Sequence, residues 1–247
     1  MKNQFKGKKV LVMGLGLHGG GVGTVRFLAY AGADITVTDL RSEEVLKSSL
    51  EALAEFSNIR YVLGEHREED FLGADLVVKN PGVMPDSPYL LAADRKGIPI
   101  TSDVGIFFNS APATIIGVTG TRGKSTAAYL IHAFLKTKTS RAFLAGNIRK
   151  SVLEILPELR AGDWVVLELS SFQLEDLSHE KKSPQVAVIT NLQQDHLNWH
   201  RTISDYYQAK SNIFRYQTSQ DHLFIDQDNE AVQNLVRGAR SGVVNCR

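Results

Sequence analysis

The sequence predicts an α/β protein built on parallel, doubly wound sheets. Three observations carry that prediction. Short runs of β-branched and apolar residues recur along the chain, longer stretches of helical character separate them, and two glycine clusters each sit directly behind such a run and open a helix.

Lys9–Met13 (KVLVM) is apolar through its interior, as a strand covered on both faces must be. Glycines follow it, then a helix near Val22–Ala31. Asp34–Thr38 (DITVT) is the next strand, with weaker strands near Arg60–Leu63 and Asp75–Lys79. The polar, proline-containing break Asn109–Pro112 ends this series and sets a domain boundary at about Ala111. Beyond it Thr114–Val118 forms a strand, Lys124–Leu135 a helix, and Trp164–Leu169 (WVVLEL) and Val186–Ile189 two more strands. Ser204–Tyr216 has the pattern of a helix, His222–Ile225 of a strand, Asn229–Arg237 of a helix, and Val243-Val244 of a weak strand. Ser178–Pro184 (SHEKKSP) is expected to be a solvated loop. The expected domains are 1–110 and 111–247.

Bulk properties exclude several classes. The chain has 247 residues, 43% of them hydrophobic, which is enough for two cores, and a net charge of +1. That balance gives no electrostatic case for nucleic acid or an anionic membrane. One cysteine, Cys246, rules out a disulfide framework or a cysteine-rich metal site. No apolar run approaches the ~20 residues of a membrane span. Met1–Lys9 is basic and polar, without the apolar stretch of a signal peptide. The expectation is a cytoplasmic protein with neither a nucleic-acid nor a membrane partner.

The first glycine cluster, Gly14-Leu15-Gly16-Leu17-His18-Gly19, fits G-x-G-x-x-G, and Asp39 ends the second strand at the distance of a ribose-binding acid. Such a turn aims a helix N-terminus at phosphate. These residues suit a nicotinamide or flavin dinucleotide, another nucleotide or a sugar nucleotide, or glycines that merely let strand and helix pack. Asp39 and Arg41 could equally be surface residues at a strand end.

The second cluster, Gly117 to Thr126 (GVTGTRGKST), has Val118 where a strict phosphate loop has its first glycine. Its tail keeps the necessary chemistry. Gly120, Thr121 and Gly123 can wrap phosphate with backbone N–H groups, Lys124 supplies a charge, and the Ser125 hydroxyl, followed by Thr126, can ligate Mg²⁺. ATP is the nucleotide this cluster favours. Glu168 lies inside an apolar strand, where a carboxylate is costly without a cation or donors, so a Mg²⁺ role is expected. His196 follows the strand Val186–Ile189 and could be structural or ligating. Asn147 alone would be a turn residue. Lys210, among Tyr206, Tyr207, Ile213 and Phe214, would alone be a solvated helix lysine.

Together these residues resemble the Mur ligase family. Gly117–Thr126 is similar to the ATP loop that Mur ligases share with folylpolyglutamate synthases. Val166–Glu175 (VLELSSFQLE) resembles a signature of the family's D-glutamate-adding branch. Thr190-Asn191-Leu192, Asp195-His196-Leu197 and Tyr207-Gln208-Ala209-Lys210 resemble its N-x-x-x-D-H and Y-x-x-A-K pattern, and Gly146-Asn147-Ile148 its G-N-I segment. The resemblance runs from about residue 8 to the end.

It implies an N-terminal Rossmann-like domain that holds the UDP of a UDP-muramoyl substrate through Gly14, Leu17, Asp39, Arg41 and Asn80. The sequence departs from the family pattern at Leu40, at Asn80-Pro81-Gly82, at His18 and Gly20-Gly21, and at Arg122, where asparagine is more usual. It also implies a central P-loop-type ATPase domain, incomplete here. There ATP would phosphorylate the alanyl carboxylate of UDP-N-acetylmuramoyl-L-alanine, and D-glutamate would attack the acyl phosphate. Lys124 would hold the phosphates, Ser125 and Glu168 one Mg²⁺, and His196 with a carbamylated Lys210 a second. Asn147 would bind substrate near the reacting centre. The chain is expected to be a monomer that stops before the family's C-terminal domain and is inactive alone. A nicotinamide-dependent oxidoreductase, a sister ligase for another amino acid, folylpolyglutamate synthase and a non-catalytic nucleotide-binding remnant are the alternatives.

Overall fold

The structure is a computed structural model that describes residues 4–148 and 151–246. The chain divides into two compact units. The first holds residues 1–110 and 149–157, the second residues 111–148 and 158–247.

The first unit is a five-stranded sheet in the order β3-β2-β1-β4-β5, every pairing parallel. Its elements are β1 (Lys9–Met13), α1 (Gly20–Tyr30), β2 (Asp34–Asp39), α2 (Glu43–Glu51), β3 (Arg60–Leu63), α3 (Glu68–Leu72), β4 (Leu76–Lys79), α4 (Pro88–Arg95), β5 (Ile100–Ser102) and α5 (Asp103–Ser110). One core cluster joins Leu11 and Met13 of β1 to Val77 of β4 and to Phe71, Leu90 and Ala93 of the helices α3 and α4. The connection after β1 runs to β2 on one side and that after β4 to β5 on the other. The carboxyl ends of β1 and β4 therefore flank a topological switch point, where doubly wound sheets hold ligands.

The second unit is a six-stranded parallel sheet in the order β11-β10-β9-β6-β8-β7. It contains β6 (Thr114–Thr119), α6 (Lys124–Lys136), β7 (Ala142–Gly146), β8 (Trp164–Glu168), α8 (Ser171–His179), β9 (Val186–Ile189), α9 (Leu197–His200), α10 (Ile203–Arg215), β10 (His222–Asp226), α11 (Glu230–Leu235) and β11 (Gly242–Cys246). Between β7 and β8, α7 (Val152–Ile155) belongs to the first unit, packed on α1 and α5. No periodicity marks this excursion, because one helical turn is too short to show one. The expected loop Ser178–Pro184 begins inside α8, which runs to His179.

Ile116 and Val118 of β6, Val166 of β8 and Ala128 of α6 form one core cluster. In β8, residues 164, 166 and 168 share a face by strand alternation. Glu168 therefore lies on the side of the sheet that α6 covers, at its carboxyl edge. Among the described residues no helix is long and apolar enough to cross a membrane.

Candidate nucleotide and metal site

Each unit presents a glycine-rich turn at the carboxyl edge of its sheet. In the first unit the turn after β1 bears on β4: a Cβ at Gly14 would lie 2.9 Å from that of Asn80. A Cβ at Gly21 would run into the Leu15 carbonyl, so glycine there lets α1 sit close on the strand. Asp39 is 2% exposed. Its carboxylate accepts from the Gly16 N–H at 3.0 Å, the Arg41 N–H at 2.9 Å and the Arg41 guanidinium at 3.2 Å. The acid is thus the brace of the turn, with at most one lone-pair site left for a ligand. Leu17 is exposed at the crest, and the Asn80 side chain accepts from the Gly82 N–H at 3.0 Å.

In the second unit, Val118 and Glu168 stand side by side in neighbouring strands. The phosphate loop leaves β6 one residue later and α6 begins at Lys124. Glu168 is 3% exposed. Its Oε1 accepts from Asn147 Nδ2 at 3.1 Å, and its Oε2 is buried with no hydrogen-bond partner. The Asn147 N–H also donates to the Glu168 carbonyl at 2.9 Å. A buried carboxylate oxygen without a donor is costly, and a hard cation beside it removes that cost. Ser125 is exposed on the first turn of α6, the helix covering that face. Among the described residues no three histidine, cysteine or acidic side chains converge as a metal site. A Mg²⁺ here would take its remaining oxygens from phosphate and water.

Lys124 folds back on its loop, donating to the Gly120 and Thr121 carbonyls at 3.1 and 2.9 Å. Thr119, one residue beyond Val118, points to the opposite face of the sheet. Lys210 of α10 meets it there, donating to Thr119 Oγ1 at 3.3 Å and to the Gly120 carbonyl at 2.8 Å. Lys210 is 1% exposed, so the solvated lysine expected from its own residue type is corrected. Its ring neighbour Tyr206 lies 4.8 Å away. Burial first, and the Lys124 charge second, push its pKa down to about 7, against the opposing pull of Asp195.

His196 is exposed in a left-handed conformation (φ 51°). Its ring sits between those of Phe172 at 5.1 Å and Tyr206 at 6.0 Å, and Asp195 pairs with it at 3.6 Å. Ser170 and Gln173 form a capping box that starts α8, and Phe172 lies in its first turn.

Residues whose structural part the sequence did not disclose hold the loop in place. The Thr121 N–H donates to the Asn191 carbonyl at 2.9 Å, and Thr121 Oγ1 exchanges bonds with Gln193. Asn191 binds residue 122 twice, accepting from its N–H and donating to its carbonyl, both at 3.0 Å. Asn191 stands in the N-x-x-x-D-H resemblance and directly follows a strand, but neither signal names the loop residues as its partners. Hydrogen bonds across some seventy residues leave no local pattern.

Residues 118–245 match the model of the Mur ligase middle domain, and residues 8–102 that of the Mur ligase MurD-like N-terminal domain. A UDP-N-acetylmuramoylalanine--D-glutamate ligase of Roseiflexus sp. (strain RS-1) is 48% identical over 94% of this chain and 50% of its own length. One of Acetivibrio thermocellus is 40% identical over 98% of this chain and 51% of its own. The chain spans about half the length of the curated relatives it matches. Among solved structures, the UDP-N-acetylmuramate:L-alanyl-gamma-D-glutamyl-meso-diaminopimelate ligase from Neisseria meningitides aligns with a TM-score of 0.65 at 17% identity. That alignment covers 97% of this chain and 78% of the other, and at this identity it concerns the fold alone. A parallel sheet with a Gly-Lys-Ser loop beside a buried glutamate, matched over both units, places the protein: the chain belongs to the Mur ligase family.

Proposed function

We propose that this chain carries the nucleotide-handling half of an ATP-dependent ligase that joins D-glutamate to UDP-N-acetylmuramoyl-L-alanine. The relatives named above bear that activity in their names. The observation that carries the proposal is Glu168, a buried carboxylate with an unpartnered oxygen in the strand beside a Gly-Lys-Ser loop.

Phosphoryl transfer between two anions requires charge neutralisation and alignment more than covalent chemistry. Gly120, Thr121, Gly123 and Thr126 shape the loop around the phosphates of ATP. Lys124, released from two carbonyls, follows the β- and γ-phosphates. Ser125 and Glu168 would hold one Mg²⁺, which supplies charge neutralisation to the phosphates when bound. Asn147 orients the Glu168 carboxylate and faces the reacting end of the substrate. In the first unit Gly14, Leu17, Asp39, Arg41 and Asn80 would hold the UDP moiety, Asp39 chiefly by bracing the turn.

His196 and Lys210 would serve a second Mg²⁺. An ammonium offers it no ligand, so this site fits only if Lys210 is carbamylated. Its depressed pKa leaves much of the amine neutral near neutrality. The amine nitrogen can then bond to the carbon of CO₂ and lose a proton, leaving an anionic carbamate oxygen.

The test is a fusion of this chain to the remaining half of the Roseiflexus relative. It is assayed for phosphate release from ATP with UDP-N-acetylmuramoyl-L-alanine and each candidate amino acid. Release that depends on D-glutamate is expected; dependence on a different amino acid would overturn the assignment. A ¹³C-bicarbonate label should appear as a carbamate signal that Lys210→Ala removes.

A further inference from the structure

We propose that Arg122 is a nucleotide-phosphate contact: its guanidinium, at the crest of the loop Gly120–Gly123, takes the outer phosphate oxygens, and Asn191 anchors the loop beneath it. This rests on the ATP-site assignment above and adds a residue to it.

A phosphate loop ordinarily grips its anion with backbone N–H groups. At position 122 that route is closed. The Arg122 N–H donates to Asn191 Oδ1 at 3.0 Å, and its carbonyl accepts from Thr190 Oγ1 at 2.6 Å and Asn191 Nδ2 at 3.0 Å. The Thr121 N–H is also spent, on the Asn191 carbonyl. What residue 122 has left to offer is its side chain. That side chain is exposed, and among the described residues no hydrogen bond or ion pair engages its guanidinium. Planar, permanently charged and fork-shaped, it matches phosphate oxygens better than any other side chain.

The backbone beneath it is already fixed, so binding need order only the side chain. Charge favours the contact as well. The N-terminus of α6 and Lys124 attract anions, and Glu168 with its unpartnered oxygen marks the cation side of the same loop.

The test is calorimetry on this chain with Mg²⁺ and either ADP or a non-hydrolysable ATP analogue, comparing the unsubstituted protein with R122A, R122K, N191A and K124A. R122A is expected to weaken the triphosphate analogue about tenfold, the low end for a charge-assisted hydrogen bond at an exposed site, and ADP by less. R122K should fall between, because a point charge replaces a fork. N191A should weaken both nucleotides without touching either. Arg122 is exposed, so its substitution leaves the fold intact. R122A binding like the unsubstituted chain overturns the proposal. If K124A then still weakens binding, only Arg122 has been misassigned; if K124A also binds unchanged, the ATP-site assignment falls with it.

Discussion

Replacing Asp39 separates two roles an acid at the end of β2 can play. If it were chiefly a ribose ligand, Asp39→Ala would reduce UDP affinity and leave stability alone. The structure makes it a brace for the glycine turn, so stability should fall. The substitution removes the acceptor for the Gly16 N–H, the Arg41 N–H and the Arg41 guanidinium. That guanidinium belongs to a side chain 52% exposed, so its ion pair contributes little. The two amides decide the magnitude. Each unsatisfied N–H costs about 1–3 kcal/mol when fully buried; Gly16 is half-buried and Arg41 exposed, so water recovers part and the sum is about 2–3 kcal/mol. Asp39→Asn keeps one acceptor oxygen and should cost roughly half. Both tryptophans, Trp164 and Trp199, lie in the second unit. Urea unfolding followed by their fluorescence is therefore an internal control. Amide exchange on peptides spanning β1 and α1 reads the first unit. A change in the first unit's stability of less than about 0.5 kcal/mol on Asp39→Ala, the span of an ordinary surface substitution, would refute the bracing role.

Lys210 should give the second unit a distinctive pH dependence. Its folded pKa is about 7, below the ~10.4 of an unfolded lysine, so between those values the unfolded chain holds more protons and stability rises with pH. In CO₂-free buffer, the stability of the unsubstituted chain relative to Lys210→Met should rise by about 2 kcal/mol from pH 7 to pH 9; a pH-independent difference would contradict this. Two adjacent glycines should behave oppositely. Gly21→Ala drives a methyl into the Leu15 carbonyl and should cost about 2–3 kcal/mol. Gly20→Ala meets open space and should be neutral or slightly stabilising by urea unfolding; equal effects at the two positions would be the contrary result.

The central strands were legible because burial on both faces forces continuous apolar runs, as in β1 (KVLVM) and β8 (WVVLE). The edge strand β5 (Ile100–Ser102) has three residues, too few for any pattern, and three of the five residues of β7 (AFLAG) are alanine or glycine. Glu168 could be flagged from its apolar strand alone. Lys210 was misjudged from its residue type, yet the helix period already placed it correctly. Tyr206, Ala209, Lys210, Ile213 and Phe214 fall at the spacing of a buried stripe, and all five are buried. Asp39 illustrates the converse. Its type and position suit a ribose acid, but its partners are two backbone amides and the Arg41 guanidinium, which no motif records. The same holds for Asn191, whose side chain imitates a strand neighbour for residue 122.

Glu168 and the Lys124 loop are proposed to share one magnesium–nucleotide complex. The direct test is the affinity of a non-hydrolysable ATP analogue with and without Mg²⁺, in the unsubstituted chain, Glu168→Gln and Lys124→Ala. Glu168→Gln should abolish the Mg²⁺ enhancement while leaving metal-free binding intact, and Lys124→Ala should weaken binding in both conditions. An undiminished Mg²⁺ enhancement in Glu168→Gln would show that the carboxylate and the loop do not hold a common ion.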